Sequence, residues 1–131
     1  MKRLTILKLS GVAAISIALL SCTGATGPEP TYAKSFQVHL QAWYSQTPVE
    51  VKIDNSKVFS GTISTGAVLG VAHVIPLRIP TGEHYMSVTV ANSLMKDTSF
   101  TLSDSLYVGV GYDAVNPRIT FLFQRERFAY D

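Results

Sequence analysis

From Ser35 onward, apolar residues return at every second position along most of the chain. This period of two is typical of a β-strand with one buried face, because successive side chains of a strand point to opposite sides. No segment keeps the longer period of an amphipathic helix. The alternating apolar positions are Phe36, Val38 and Leu40; Val49, Val51 and Ile53; Met86, Val88 and Val90; Phe100 and Leu102; Leu106, Val108 and Val110; and Ile119, Phe121 and Phe123.

Turn-forming residues separate these runs, most clearly at Asp54-Asn55-Ser56 and at Pro80-Thr81-Gly82. Asp, Asn and Gly tolerate the backbone conformations that tight turns need. Short alternating strands with a turn about every ten residues are typical of a β-sandwich. The sequence therefore predicts an all-β domain over residues 35–131, a single antiparallel β-sandwich of seven to eight strands.

The pattern is weakest between residues 67 and 79, where Pro76 interrupts it. Proline has no N–H to donate to a strand ladder, so it marks an edge strand, a bulge or a break. We expect two separate short strands here, 69–74 and 77–79, with a break that lets the chain cross between sheets.

The first residues have the composition of an export signal. Lys2, Arg3 and Lys8 form a basic start, and residues 11–20 form an apolar run. That run is shorter than the roughly 20 residues that a membrane-spanning helix needs, and a short run of this kind is typical of a signal peptide. We therefore expect residues 1–21 to be a signal peptide.

Leu19-Leu20-Ser21-Cys22 resembles a bacterial lipobox, and Cys22 is the only cysteine in the chain. The resemblance implies cleavage before Cys22 and a membrane anchor through a diacylglyceryl thioether on its sulfur. Each buried CH₂ of such a lipid contributes about 0.8 kcal/mol, so several acyl chains hold a protein firmly. Thr23 replaces the Asp that usually retains lipoproteins in the inner membrane. The implied location is the cell envelope, with the outer membrane favoured in a Gram-negative host.

Residues 22–34 join this predicted anchor to the first strand. Gly, Pro and Thr dominate the segment, and no apolar period appears in it. Such a composition is typical of a flexible connection rather than of a packed element. We expect residues 22–34 to comprise the lipidated cysteine and a tether that keeps the domain near the membrane.

Three segments look like the PEGA and carboxypeptidase-regulatory-like group of extracytoplasmic β-sandwiches. They are 49–54, 57–59 and 79–88. The pattern is a strand ending in Asp54, a short hairpin, and then Pro80-x-Gly82-x-His84 leading into an alternating strand. The resemblance covers residues 49–112 and implies an immunoglobulin-like or transthyretin-like sandwich, in a group of mostly non-catalytic modules. Asn55 in place of the usual Gly, and a long insert from Gly61 to Ile75, depart from the pattern.

The charge of the mature chain argues against a nucleic-acid partner. The full chain has 11 Lys and Arg against 9 Asp and Glu, and three of the basic residues lie in the predicted signal peptide. The mature chain therefore has 8 against 9, a net charge of −1. A protein that binds nucleic acid needs a basic surface to neutralise phosphates, and no such excess remains.

No motif in the sequence indicates an enzyme, a metal site or a cofactor. The three histidines are His39, His73 and His84. None stands at the short spacing of a local metal pair, and no Gly-x-Ser-x-Gly nucleophile motif occurs. Asp97, Asp104 and Asp113 all fall near turns, where Asp commonly caps the backbone. We expect a non-catalytic protein without a cofactor; a hydrolase or an enzyme inhibitor is the least favoured alternative.

Trp43, Tyr85 and Tyr107 fall on the polar phase of their strands and are our candidate binding surface. Gly109 and Gly111 leave the strand face beside Tyr107 without side chains. An exposed aromatic strip of this kind could stack on sugars or accept another chain. The alternative is structural: Trp43 folds back over the sandwich edge, and Tyr107 packs across a glycine.

The chain closes with Arg125-Glu126-Arg127-Phe128-Ala129-Tyr130-Asp131, which is either a solvated strand end or a docking segment for a partner. Taken together, these patterns predict a lipid-anchored envelope β-sandwich that serves as an interaction or accessory module. The partner is a protein or a glycan, besides the membrane that holds the lipid. The runner-up is a glycan-binding lipoprotein that uses the three aromatic residues.

Overall fold

The structure, a computed structural model, describes residues 29–68 and 70–130. It confirms an all-β fold with eight strands in two sheets. The strands are β1 (Ser35–Leu40), β2 (Thr47–Ile53), β3 (Ser56–Ile63), β4 (His73–Leu77), β5 (Gly82–Val90), β6 (Leu94–Leu102), β7 (Ser105–Asp113) and β8 (Arg118–Gln124). Among the described residues no helix has the length and apolar character needed to cross a membrane.

The two sheets have four strands each, in the orders β4-β1-β7-β8 and β3-β2-β5-β6. All neighbouring strands run antiparallel except β1 and β7, which run parallel. An immunoglobulin domain keeps its first two strands in one sheet, whereas here β1 and β2 lie in different sheets. The strand order of this sandwich therefore differs from that of an immunoglobulin domain.

The core lies between the sheets and consists of the predicted alternating positions. Strand β2 shows the reason most clearly, because its residues are alternately buried and half-buried along its whole length. The rings of Phe36 from one sheet and Phe100 from the other stack at 5.3 Å between centroids and join the layers. The fully buried side chains include Val38, Leu40, Val51, Met86, Val88, Val90, Leu102, Val108, Val110 and Ile119.

The hairpin between β2 and β3 shows how local chemistry sets the strand register. Asp54 and Asn55 have φ angles of +50° and +67°. A two-residue hairpin with both central residues at positive φ matches the twist of the flanking strands, and Asn and Asp tolerate that region. Asn55 therefore fulfils the role for which a glycine is more usual.

The prediction of two separate strands around Pro76 is wrong. Residues 73–77 form one strand, β4, and Pro76 lies opposite Gln37 within it. β4 is an edge strand, paired only with β1. An edge strand accommodates proline because the missing N–H need not cost a bond to a second neighbour.

The seven connections between consecutive strands alternate between the two ends of the sandwich, because each strand reverses direction relative to the one before it. We call the end where β1 begins the proximal end and the end where β1 finishes the distal end. The proximal connections are 54–55, 78–81 and 103–104; the distal connections are 41–46, 64–72, 91–93 and 114–117.

The predicted tether is docked at its C-terminal part. Tyr32 forms a bridge with Pro80, and the Thr81 N–H donates to the Thr31 carbonyl at 2.7 Å. The Arg78 guanidinium lies 3.9 Å from the centre of the Tyr32 ring. The segment entering the domain is therefore held at the proximal end. The predicted signal peptide, Cys22 and the rest of the tether lie outside the described residues.

Candidate functional site

The three aromatic residues predicted to share one surface do not lie together. Trp43 is 77% exposed, Tyr85 is 38% exposed and Tyr107 is only 6% exposed. Tyr85 belongs to β5 in one sheet and Tyr107 to β7 in the other. The expectation of a single aromatic strip is therefore corrected to one exposed tryptophan at the distal end, a partly exposed tyrosine and a buried one.

The C-terminal segment, residues 125–130, returns to the outer face of β1, where Tyr130 contacts His39 and Gln41. This segment covers His39, whose ring stacks on Tyr130 at 5.7 Å and meets Phe128 at 5.0 Å between centroids. Tyr107 packs edge-on to His39 and its hydroxyl hydrogen bonds to the Ser35 hydroxyl. Tyr107 is therefore buried against His39, whereas the space at Gly109 is taken by Gln41. The C-terminal segment docks on its own domain.

A chain of polar contacts holds this segment in place. The Gln41 amide donates to the Tyr130 hydroxyl at 3.0 Å, and that hydroxyl donates to Nδ1 of His39 at 2.8 Å. Nε2 of His39 donates to the Gln37 side-chain oxygen at 2.9 Å. This arrangement suits a neutral imidazole, and burial together with the nearby Arg127 charge lowers the pKa of His39.

Gly109 gives the Gln41 side chain the space it needs. A Cβ at position 109 would stand 2.8 Å from the Gln41 amide carbon, which is closer than side chains approach. The bare strand face noted in the sequence is therefore occupied from within the domain and is not an open binding platform.

Tyr85 makes a local contact on the outer face of the other sheet. Its hydroxyl donates to Asp97 at 2.5 Å across the β5–β6 pair. This hydrogen bond raises the pKa of the Tyr85 phenol and lowers the pKa of the Asp97 carboxyl. Tyr85 is thus engaged with its cross-strand neighbour and lies apart from Trp43.

Trp43 points into solvent because its neighbour Tyr44 takes the inward position. Tyr44 is 3% exposed, and its hydroxyl donates to the Val110 carbonyl at 3.0 Å. The Tyr44 and Tyr112 rings stack at 5.8 Å beneath the distal end. Since consecutive residues of an extended chain face opposite sides, burial of Tyr44 places the Trp43 indole outside.

Two other distal connections also present an apolar side chain to solvent. Val68, in connection 64–72, is 83% exposed, and Val115, in connection 114–117, is 87% exposed. With Trp43 they are the three most exposed large apolar side chains among the described residues. We call this set of Trp43, Val68 and Val115 the apolar tip.

Hydrogen bonds connect the three parts of the apolar tip. The Trp43 N–H donates to the Tyr112 carbonyl at 2.8 Å, which joins the Trp43 connection to the strand leading to Val115. The Thr65 N–H donates to the Tyr44 carbonyl at 2.8 Å, which joins it to the connection that contains Val68. The three apolar side chains therefore project from one supported end of the sandwich.

A cleft of about 580 Å³ lies beside Trp43 at this end. Its walls are the Trp43 connection and the β7–β8 turn, and they include Tyr112, Val115 and Arg118. The Asp113 carboxylate also lines it, but this group accepts hydrogen bonds from the N–H groups of Val115 and Asn116, and these bonds lower its pKa. The cleft thus combines apolar walls with the Arg118 guanidinium and the Asp113 carboxylate, which face each other across the β7–β8 pair.

A second cluster lies at the proximal end and joins the residues of the predicted family pattern. His84 places Nδ1 2.5 Å from the Asp54 carboxylate and Nε2 2.6 Å from the Pro80 carbonyl. The Tyr85 N–H donates to the second Asp54 oxygen at 2.9 Å. We call His84, Asp54 and Pro80 the histidine clip, and it borders a shallow cleft of about 380 Å³.

The two hydrogen-bond partners of His84 influence the charge of its ring. A carboxylate and a carbonyl can only accept hydrogen bonds, so these contacts favour the form of His84 in which both ring nitrogens carry a proton, the imidazolium. Burial alone would lower the pKa of His84, but the hydrogen bonds that the ring donates to Asp54 and Pro80, together with the Asp54 charge, raise it overall. Burial would raise the pKa of Asp54, but the hydrogen bonds from His84 and from the Tyr85 N–H, together with the His84 charge, lower it overall.

The hydrogen bonds of His84 occupy both of its ring nitrogens. A general base needs a free lone pair close to a reacting group, and both nitrogens of His84 are already bound. Within residues 29–68 and 70–130, no three His, Cys, Asp or Glu side chains come together in a way that could hold a metal ion. The distal end therefore remains the surface best suited to contact another molecule.

The sequence interpretation selected Trp43 and missed Val68 and Val115. A signal for them exists: both are apolar residues inside turn-rich segments, and no Lys, Arg, Asp or Glu occurs in 64–72 or 114–117. What the sequence could not show is that these two segments and 41–46 meet at one end. Comparison with protein-family models, with curated proteins and with solved structures finds no match to this chain.

Proposed function

We propose that this protein is a lipid-anchored, non-enzymatic β-sandwich of the cell envelope that acts as an interaction module through its distal end. The observation that carries the proposal is the apolar tip, in which Trp43, Val68 and Val115 are each more than three-quarters exposed. Three large apolar side chains exposed at one end of a domain indicate a contact site more strongly than single exposed residues scattered over a surface do.

The direction of the tip supports a role in contact with a second surface. Segment 29–34 enters at the proximal end, where Thr31 and Tyr32 are held against Thr81 and Pro80. From Cys22 to Thr31 an extended chain reaches at most about 30 Å. A protein anchored through Cys22 would therefore hold its proximal end near the bilayer and its distal end away from it.

The polar chemistry of the domain supports a non-enzymatic role. His84 and His39 both have their two ring nitrogens bound to groups of the domain itself. The proposed kinship with PEGA and carboxypeptidase-regulatory-like modules agrees with this, because the residues that carry the resemblance, Asp54, Pro80 and His84, form a clip that stabilises the turn region. In a Gram-negative host the proposed location is the outer membrane.

A glycan ligand is the second candidate, and it rests on one observation. The Trp43 indole forms a wall of the 580 Å³ cleft that also contains Gln41 and Arg118, and an aromatic face beside polar groups suits a sugar ring. Tyr85 and Tyr107 no longer contribute to this candidate. Loss of glycan-array binding in Trp43→Ala, with binding unchanged in Tyr85→Ala, would favour the sugar.

The anchor is tested by replacing its attachment atom. We expect wild-type protein in its host to incorporate labelled palmitate and to sediment with membranes, and Cys22→Ser to lose both properties. The sandwich core is formed by residues 35–124, so the variant should keep the β-type circular dichroism spectrum of the wild type. A wild-type protein that takes up no label would contradict the anchor.

The contact surface is tested by photo-crosslinking in living cells. A benzophenone amino acid replaces Trp43 or Val115 in the tip, and Leu122, which is 54% exposed on β8, serves as the matched control outside the tip. We expect a specific crosslinked product from positions 43 and 115 and none from position 122. Equal products from all three positions, or none from any, would refute the distal end as the contact surface.

A further inference from the structure

The partner of the apolar tip can be inferred from its chemistry. Resting on the proposed role of the distal end as the contact surface, we infer that Trp43, Val68 and Val115 insert into the interface of an uncharged lipid bilayer. The lipid anchor and the tip would then attach the domain at two opposite ends.

The distribution of charge between the two ends is the first argument. Each proximal connection, 54–55, 78–81 and 103–104, contains a charged residue, whereas the four distal connections contain no Lys, Arg, Asp or Glu. Moving a charged side chain into a bilayer costs free energy, so segments that insert into a bilayer rarely contain one. Without lysine or arginine in these connections, the tip has little attraction for anionic lipid headgroups, which selects an uncharged bilayer.

The second argument is that several backbone N–H groups of the distal connections, including those of Trp43 and Val115, are already hydrogen bonded within the domain. The N–H groups of Trp43, Thr65 and Gly66 donate to carbonyls of the domain, and those of Val115 and Asn116 donate to Asp113. Lipid offers no hydrogen-bonding partner, so only backbone groups that are bonded internally can leave water cheaply. A protein partner would not require this, because it could supply the missing bonds.

The third argument is that the exposed apolar side chains are separate from one another and do not form a continuous surface. Trp43, Val68 and Val115 stand on three separate connections, with small residues such as Gly66, Ala67 and Ala114 beside them. Separate projections match a fluid interface, whereas a protein interface requires a continuous complementary surface with close packing. Tryptophan in particular favours the boundary between headgroups and acyl chains.

Two charged residues limit the depth of insertion. Asp113 and Arg118 flank the β7–β8 turn directly behind Val115. The Asp113 carboxylate must remain at the level of water and headgroups, and the Arg118 guanidinium can donate to a lipid phosphate there. Insertion is therefore shallow, with the three apolar side chains at the acyl boundary and β7 and β8 outside.

Trp43 is the only tryptophan in the chain, so its fluorescence reports on the tip alone. The acylated protein is reconstituted in phosphatidylcholine vesicles and mixed with acceptor vesicles of phosphatidylcholine that carries bromine, a quencher, on its acyl chains. We expect the Trp43 emission to move to shorter wavelength and to be quenched, with no change in 0.5 M salt. A second arm places the brominated lipid in the protein's own vesicles instead; quenching by the acceptor vesicles supports the inference, and quenching in the second arm alone would contradict a distal end held away from the bilayer of the anchor.

Variants test whether the apolar tip causes the signal. Val115→Asp should weaken quenching by the acceptor vesicles about tenfold, the effect of a carboxylate on transfer to the interface. Leu122→Ser, a change of an exposed apolar residue elsewhere, should leave quenching unchanged, and equal thermal melts should show that both variants fold. Quenching that persists in Val115→Asp would overturn the inference.

The remaining outcomes separate this inference from the proposed function. If Trp43 is not quenched in either arm while position 43 crosslinks a specific envelope protein, the interaction module stands and the lipid partner is wrong. Quenching only by vesicles with anionic lipid, lost in 0.5 M salt, would also overturn the inference, because it would indicate electrostatic attraction instead of apolar insertion. Failure of both quenching and crosslinking would refute the proposed function itself.

Discussion

The two ends of this sandwich are built from the same kind of β-turn segment and differ in the interactions they use. At the proximal end, charged side chains are paired within the domain: His84 binds Asp54 and Pro80, and Arg78 covers Tyr32. At the distal end, backbone and hydroxyl hydrogen bonds hold the connections together. The apolar side chains of Trp43, Val68 and Val115 are exposed to solvent at this end, so they can contact another molecule.

The comparison teaches how exposure should be interpreted in a small β-sandwich. Tyr107 and His39 are on the nominally polar face of their strands, yet both are buried: the C-terminal segment covers His39, and Tyr107 packs against His39. Trp43 and Val115 have no such cover. An exposed apolar side chain therefore indicates a contact site only when the folded structure shows that no other segment of the chain packs over it.

The largest expected effect is at the histidine clip. His84→Ala removes a nearly buried ring, its packing against Phe100 and its hydrogen bond to the Pro80 carbonyl. We expect a loss of about 2 kcal/mol in the free energy of unfolding, measured by urea denaturation. The half-exposed Asp54 contributes little of this, because solvent screens its charge.

Tyr85→Phe is the matched control for this change. It removes a hydrogen bond to Asp97 from the next residue of the same strand, but that bond is exposed. We expect no measurable shift of its urea midpoint. Equal shifts for His84→Ala and Tyr85→Phe would show that the clip has no special role in stability.

A smaller effect is expected where hydroxyl chemistry holds the distal end. The Thr65 hydroxyl accepts from the Tyr44 N–H at 2.9 Å and donates to the Gln41 carbonyl at 2.8 Å. Thr65→Val keeps the shape and removes both bonds, which should cost about 1 kcal/mol. Amide hydrogen exchange should rise in 64–72 and at Trp43 while the histidine clip stays protected; uniform exchange across both ends would argue against two separate supports.

The pH dependence of stability should come from the histidines and Asp54, and it should be smaller again. The raised pKa of His84 means that its contribution is complete below about 6.5 and is lost as pH rises through the raised value. Asp54, with a lowered pKa, contributes above about 3.8 and loses its effect as pH falls through the lowered value. His39, whose pKa is lowered, acts oppositely to His84 and costs stability as pH falls below about 6.5.

Urea midpoints measured from pH 4 to pH 9 check these signs. The decline above about 6.5 should disappear in His84→Ala, and the acid-side decline that His39 causes should remain. Nuclear magnetic resonance titration of the ring protons should give a higher pKa for His84 than for His39. The reverse order would contradict the hydrogen-bond assignments at both sites.

The smallest effect on stability is expected at the apolar tip. Val115 is 87% exposed, so Val115→Ser should change the free energy of unfolding by no more than about 0.5 kcal/mol. A thermal melt checks this directly. A loss above 1 kcal/mol would show that Val115 supports the fold, and the contrast between a stabilising end and a contacting end would fail.

The strand content of the domain could be predicted from sequence because alternation is a local property. A run such as Val49, Val51 and Ile53 needs only one buried face to become a strand, whichever strand it pairs with. The hairpin at Asp54 and Asn55 was equally predictable from its turn chemistry. The strand through Pro76 was missed because an edge position, which makes proline acceptable, is a property of the sheet.

The candidate site was predictable only in part, for a related reason. Trp43 stood out by its residue type and its phase, whereas Val68 and Val115 resembled ordinary loop residues. Tyr107 was assigned to the surface because no local signal shows that it packs against His39, which residues 125–130 cover. A segment that is distant in sequence can cover a strand face through long-range packing. The pattern of neighbouring residues contains no information about such packing.

Three features follow from residue types at neighbouring positions alone: the alternation that produces two sheets, the turns that connect them, and which connections contain charge. The parallel pairing of β1 with β7 and the position of every uncharged connection at one end arise only in the folded domain, because strand pairing is a contact between distant parts of the chain. Charged and uncharged connections alternate along the chain, and the pairing of the strands collects the charged ones at the proximal end and the uncharged ones at the distal end.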